Sequence, residues 1–261
     1  MSLGSFSVFR SVVFALFLRE IKTRFGESKL GYAWVVIEPL LHIVFLILVF
    51  SFIRDQMMPQ VPFLLFMITG LIPYFLFKSI AISLMNSIKG NLALFSYKPV
   101  RPFAVYIART ILEVLIYGTI FGIVLGVICW FDIVPFKIAY PLEFLYSMAL
   151  IILFALGFGI ILSLIDHVFP SIKILVNVLF SLLYFLSGVM FPLWILPSDY
   201  LQYLEWNPVL HLIEIFRESF FAYYPKTEGI SVAYPLWWIL GMGYIGMWFY
   251  TKRELALRSS T

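Results

Sequence analysis

Glu38 and His42 stand four residues apart around Pro39, so a helix would put a carboxylate and an imidazole on one face. Ionisable groups inside an apolar run are costly in a bilayer. Such a pair marks either a path for a polar solute or a couple that satisfies itself inside a bundle, and both readings stand here. Arg109 and Glu113 repeat the spacing near the start of another apolar run, where an ion pair or snorkelling fits better than substrate contact. Lys78 is expected to snorkel too. Asp166-His167 is the nearest approach to a catalytic acid–histidine pair, but it sits in a short turn before Pro170, which suits a turn or cap role. The histidines, His42, His167 and His211, fall in separate segments, so no Ser-His-Asp arrangement can be argued. No HExxH and no Cys/His set has metal spacing. No GxxxxGK[ST] loop is present to cradle ATP. The expectation is a chain without catalytic residues, metal or cofactor of its own.

A second group suits contact rather than reaction. Tyr32, Trp34, Tyr74, Tyr184, Trp194, Tyr200, Tyr203 and Trp206 gather towards the ends of apolar runs. Aromatic faces stack on the apolar faces of sugar rings, but they also form the belts at membrane interfaces. Either use fits a chain that is 19% aromatic.

The elements that must hold these residues are helices in a membrane. Of 261 residues, 62% are hydrophobic and only 12% charged, and the mean hydropathy is +1.00. A soluble globular domain of this length does not have that composition. The lone Cys129 lies in an apolar run, which leaves no disulfide framework. The N-terminus lacks the pattern of a cleavable signal, and residues 6–25 read as an interfacial helix, because Arg19, Glu20, Lys22 and Arg24 leave the apolar part too short to cross. About six segments are long enough to span. They are residues 32–53, 62–83, 104–131, 142–165, 173–191 and 231–250. The loops on one side carry Arg10, Arg19, Lys22, Arg24, Lys29, Lys89, Lys98, Arg101, Lys173, Lys252, Arg253 and Arg258. The positive-inside rule therefore puts both termini in the cytoplasm. The organisation expected is an all-α integral membrane protein. Residues 1–31 form an interfacial helix and contact turn. Residues 32–250 form the six-span domain, with a cytoplasmic loop at 84–103 and an outer segment at 192–230, and residues 251–261 form a tail. Gly118, Gly122 and Gly126 form overlapping GxxxG patterns, read as packing within the chain.

The outer segment is the most unusual stretch. SGVMFPLWILPSDYLQYLEWNPVLHLIEIFRESFF, residues 187–221, breaks at Pro192 and Pro197 and restarts at Asn207-Pro208, an N-cap followed by a proline suited to the first helical position. Val209, Leu212, Ile213, Phe216 and Phe220 share one helical face, while His211, Glu214, Arg217 and Glu218 share the other. This reads as a segment that dips into the bilayer or lies on its surface, packed against protein, of the kind that gates or lines a path, with Pro192, Pro197, Tyr203, Trp206, Asn207, Pro208, His211, Glu214 and Arg217 as its candidate residues.

LREIKTRFGESKLGYAWVVIEPL (18–40), SYKPVRP (96–102) and WNPVLHLIEIFRESFF (206–221) together resemble the membrane subunit of type-2 ABC exporters, closest to bacterial capsule polysaccharide export permeases, with O-antigen and teichoic-acid exporters as near relatives. The resemblance covers essentially the full length. It implies a multi-pass inner-membrane homodimer, each copy docked on a separate ATPase that holds ATP and Mg. It implies a lipid-linked polysaccharide substrate, an envelope-spanning partner and an outer-membrane export protein, and no nucleic acid. The ATPase contacts would map to Glu20, Lys22, Arg24, Glu27, Lys29, Lys89, Lys98 and Arg101. The path would run past Arg24, Lys29, Tyr32, Trp34, Glu38, His42, Tyr74, Tyr184 and Trp194, with Arg24 and Lys29 meeting an anionic lipid head or acidic sugars. Two rivals stay open. A drug or lipid exporter of the same family would have a smaller, less aromatic path. A membrane enzyme of envelope synthesis would need the acid or histidine cluster that is missing.

Overall fold

A computed structural model describes residues 3–25, 29–54, 61–95, 97, 99–135 and 137–259. Among them every regular element is helical. The order is α1 (Leu3–Phe25), α2 (Lys29–Arg54), α3 (Phe63–Met85), a 3-10 turn (Lys89–Leu94), α4 (Pro102–Trp130), α5 (Pro141–Val168), α6 (Ile172–Leu186), a 3-10 turn (Leu193–Ile195), α7 (Ser198–Leu201), α8 (Pro208–Phe220) and α9 (Ala233–Ser259). The all-α membrane architecture stands. Among the described residues α3, α4 and α5 are each long and apolar enough to cross a bilayer, while residues 36–49 of α2 and the whole of α6 are apolar but shorter.

α3 is the central helix, packed on α2, α4, α5 and α8. Its Phe66, Met67, Ile68, Leu71, Ile80 and Ala81 are completely buried. Water does not drive helices together inside lipid, so close backbone approach and interdigitation must. Gly159 of α5 provides the approach: a β-carbon there would come within 2.9 Å of Leu84 Cβ and 3.2 Å of Ala81 Cα. Phe77, Phe154, Phe158 and Phe180 interlock across α3, α5 and α6, with Phe77 5.4 Å from both Phe154 and Phe180, ring centre to ring centre.

Three expectations need correcting. The fifth apolar segment does not run to Phe191. α6 stops at Leu186, and Gly188 turns the chain at φ +64°, a left-handed conformation that glycine adopts without strain. The last helix is longer than expected and continues through residues 251–259, which had been read as a tail. Gly118, Gly122 and Gly126 of α4 do not pack within the chain, since a β-carbon at any of them would meet open space.

Candidate functional site

Two polar constructions stand out. The first is a cleft of about 700 Å³ where α1, α2, α3 and α4 meet. Glu20, Thr23 and Arg24 enter it from α1, Glu38, Pro39 and His42 from α2, Phe75, Lys78 and Ser79 from α3, and Arg109, Glu113 and Tyr117 from α4. Arg109 and Glu113 do not pair with each other, as their spacing suggested. Each instead takes a partner on α1. Glu113 is ion-paired with Arg24 and accepts a hydrogen bond of 2.7 Å from the Ser79 hydroxyl. Arg109 Nε lies 3.1 Å from Glu20 Oε1, and its Nη1 donates to the Ser83 carbonyl at 2.6 Å. Glu-x3-Arg on α1 thus faces Arg-x3-Glu on α4, in register, one helical turn apart.

α1 is therefore latched to the bundle, and its inner charges are not free to dock elsewhere. Glu20 is mostly covered, whereas Lys22 is exposed. Arg19 donates to Asn91 in the 3-10 turn of the 84–103 loop. Lys89 of that turn lies 2.9 Å from Asp166, which is buried at the end of α5. Lys173 donates to Asn86 at 2.6 Å. Asp166 and His167 lie in the last turn of α5 rather than in the turn expected for them, and from there Asp166 fixes the loop. Arg101 occupies the N-cap position of α4, exposed and without a side-chain cap bond. Glu27 and Lys98 lie outside the described residues, as do the side chains of Lys29 and Tyr32.

The aromatic path candidates divide. Trp34 is exposed on α2. His42 meets Phe75 edge-on at 5.2 Å, and Phe75 stacks on Tyr184 at 6.1 Å, so a continuous aromatic strip leads away from the charged cleft. Tyr74 has to be corrected: it is 1% exposed and its hydroxyl donates to the Phe180 carbonyl, a core tie between α3 and α6 that presents no surface to a path. Trp194 is half-buried between Phe66 and Tyr224.

The second construction is α8. Its N-cap is as expected: Asn207 Oδ1 accepts from Val209 N at 3.0 Å, with Pro208 following. Its polar face is turned inward. His211, Glu214 and Arg217 point into protein, and Glu214 and Arg217 have no exposure at all. The reason is the break after α6, which frees carbonyls that lipid cannot satisfy. Asn207 Nδ2 donates to Leu186 O at 3.2 Å and to the Ser187 hydroxyl at 2.9 Å. Arg217 donates to Gly188 O at 2.8 Å, to Val189 O at 2.9 Å and to Glu214 at 2.9 Å, and it lies over the Phe66 ring at 3.7 Å. The Tyr224 hydroxyl reaches both Glu214 oxygens, at 3.1 and 3.0 Å. Gly70 on α3 leaves room for the guanidinium, since a β-carbon there would fall 2.3 Å from Arg217 Nη2. Two residues of one amphipathic helix thus seal the open end of another. Pro192 and Pro197 border the short Leu193–Ile195 turn, and Tyr203 and Trp206 remain exposed beside it.

His211, in the first turn of α8 and outside the spanning helices, clamps two loops. Its Nδ1 accepts from Ser231 N at 3.1 Å, which fixes the tautomer, so Nε2 donates to the Glu205 carbonyl at 2.7 Å. Burial holds the imidazole below its ordinary value of 6.5. The unfolded chain therefore takes up this proton first. Stability is complete above about pH 6.5 and declines as the pH falls below it. His211→Gln should flatten that decline in unfolding curves recorded between about pH 7 and 5. Equal slopes for the variant and the wild type would show that the clamp does not titrate.

Residues 11–221 match the ABC-2 type transporter family. The chain is 38% identical over 260 residues to the polysialic acid transport protein KpsM of Escherichia coli, covering 100% of both chains. It is 30% identical over 214 residues to the capsule polysaccharide export inner-membrane protein BexB of Haemophilus influenzae, covering 81% of this chain and 79% of the relative. It is 29% identical over 242 residues to the capsule polysaccharide export inner-membrane protein CtrC of Neisseria meningitidis serogroup A, covering 91% and 88%.

Proposed function

The chain belongs to the ABC-2 type transporter family, and from that premise we propose that it is the membrane permease of an exporter that carries capsule polysaccharide across the bacterial inner membrane. The observation that carries this reading is the full-length relation to a polysialic acid transport protein, which extends through α8 and α9. The charged cleft and the aromatic strip beside it suit a substrate with a charged head and sugar rings.

In this reading the protein crosses the membrane six times with both termini in the cytoplasm and works as a homodimer. It binds no cofactor itself and performs no chemistry, and ATP is hydrolysed on a partner subunit. α1 and the Lys89–Leu94 turn contact that ATPase. Because Arg24–Glu113, Glu20–Arg109, Arg19–Asn91 and Lys89–Asp166 join these elements to α4 and α5, a push on either would reach the bundle through fixed contacts. Lys29 and the rim of the cleft form the entrance. The α6–α8 hairpin closes the outer end, and an envelope-spanning partner and an outer-membrane export protein continue the route.

Co-purification from the native envelope followed by mass spectrometry tests this. A stoichiometric P-loop ATPase together with acidic, lipid-terminated polysaccharide is expected. An ATPase with no polymer would replace the proposal with small-molecule export, and no ATPase would overturn it.

A further inference from the structure

Three cationic side chains of known placement face the α1–α4 cleft, and two of them are matched. Arg24 has Glu113 and Arg109 has Glu20. Lys78 is half-buried on α3, on the same wall as Ser79, and no carboxylate among the described residues lies within ion-pair distance of it. A lysine of a spanning helix that faces a polar cleft rather than lipid is a candidate contact for an anion. Glu38, on the α2 wall, is likewise outside every ion pair among the described residues. The cleft lining also includes Pro39, Phe75, Ile82 and Ile116, together with the polar His42, Ser79 and Tyr117. Among the described residues the cleft thus holds one ammonium and one carboxylate outside any ion pair, on a lining of mixed polarity, within a volume of about 700 Å³ that suits a lipid headgroup carrying its first sugar.

We propose that this cleft is a headgroup site in which Lys78 holds a lipid-borne phosphate and Glu38 accepts hydrogen bonds from the adjoining hydroxyls. Lysine is a compact, strongly donating point charge and suits a phosphate oxygen. The members of the Glu20–Arg109 and Arg24–Glu113 pairs neutralise each other, and the Glu38 carboxylate repels a second anionic group, so the site selects a single anion at Lys78 rather than a polyanion. The substrate class rests on the export reading above, whereas a phospholipid headgroup site at Lys78 does not.

The test is native mass spectrometry of the purified full-length protein titrated with phosphatidylglycerol, phosphatidylcholine and free glycerol 3-phosphate. Wild type is expected to retain phosphatidylglycerol about tenfold more strongly than phosphatidylcholine, as one added charge-assisted contact would give. Lys78→Gln should lose the preference, Lys78→Arg should keep it, and Glu38→Gln should weaken it less. All three should melt within a few degrees of wild type, because neither residue has an ion-pair partner among the described residues. No preference in wild type, or an undiminished preference in Lys78→Gln, would overturn the site. Displacement of the lipid by equimolar glycerol 3-phosphate would overturn the lipid source and leave a soluble phosphate as the ligand. Polymer is read in the same samples. Lipid preference without co-purified polymer would defeat the export reading and spare the site. Polymer present with a Lys78→Gln variant that binds lipid like wild type would do the reverse.

Discussion

Arg217→Met should be among the most damaging single substitutions in this protein, costing about 3–5 kcal/mol. The guanidinium is entirely buried and has one route of charge compensation, Glu214. Methionine fills much of the same volume, so the loss is electrostatic rather than a cavity. It leaves Glu214 buried with only Tyr224 as a donor, and it strips Gly188 O and Val189 O of their donors at the break after α6. The measurement is thermal unfolding in detergent, with export measured alongside. Adding Glu214→Gln removes the stranded charge and should recover part of the loss. It cannot recover all of it, since the two carbonyls stay unpaired. Full recovery would mean that the pair matters only to itself. A variant as stable as wild type would remove the argument that α8 seals α6.

Much of this was legible in the sequence. The cap and start of α8 follow from Asn207-Pro208, and the start of α4 from Pro102, because capping is local chemistry. That the apolar runs are helical, with α3, α4 and α5 long enough to cross a bilayer, follows from hydropathy. The direction in which α8 turns its polar face does not. Periodicity says which residues share a face, not what covers it, and the partners of Asn207 and Arg217 are backbone carbonyls, which no side-chain pattern announces. Pro192 and Pro197 are the stronger breakers in the sequence, but α6 ends at Leu186 and Gly188, at positive φ, turns the chain before either proline.

The α1–α4 latch was missed for another reason, and a signal for it existed. Arg109 and Glu113 were read against each other because they are close in sequence. Glu20 and Arg24 have the same spacing with the signs reversed, the complement needed for two helices side by side. Complementary order in distant segments is weak evidence alone, since many charge pairs share it by chance. Two such pairs with matching four-residue spacing are stronger, because one register satisfies both.

That latch makes an asymmetric prediction. Arg24→Ala should cost about 2–3 kcal/mol, whereas Glu113→Gln should cost about 1 kcal/mol or less, although both break one ion pair. The side chain of Arg24 is 35% exposed and that of Glu113 only 1%. An unpaired Arg24 can swing its guanidinium into water along the rim of the cleft. An unpaired Glu113 cannot leave, and among the described residues the Ser79 hydroxyl is its remaining donor. Glutamine at 113 can still accept from both Ser79 and Arg24, so little is stranded. If the pair served only as generic surface charge, the two variants would be equally mild. The exchanged protein, Arg24→Glu with Glu113→Arg, should regain stability relative to the summed single reversals if the contact is direct, because a double-mutant cycle isolates their coupling. Function separates the latch from stability. In the proposed exporter, α1 carries the push of the ATPase. Arg24→Ala combined with Glu20→Gln should therefore leave ATP hydrolysis running in the purified complex while polymer export falls. Parallel loss of both would reduce the latch to a brace for folding. Hydrolysis that persists without export would make it the joint through which α1 moves α4.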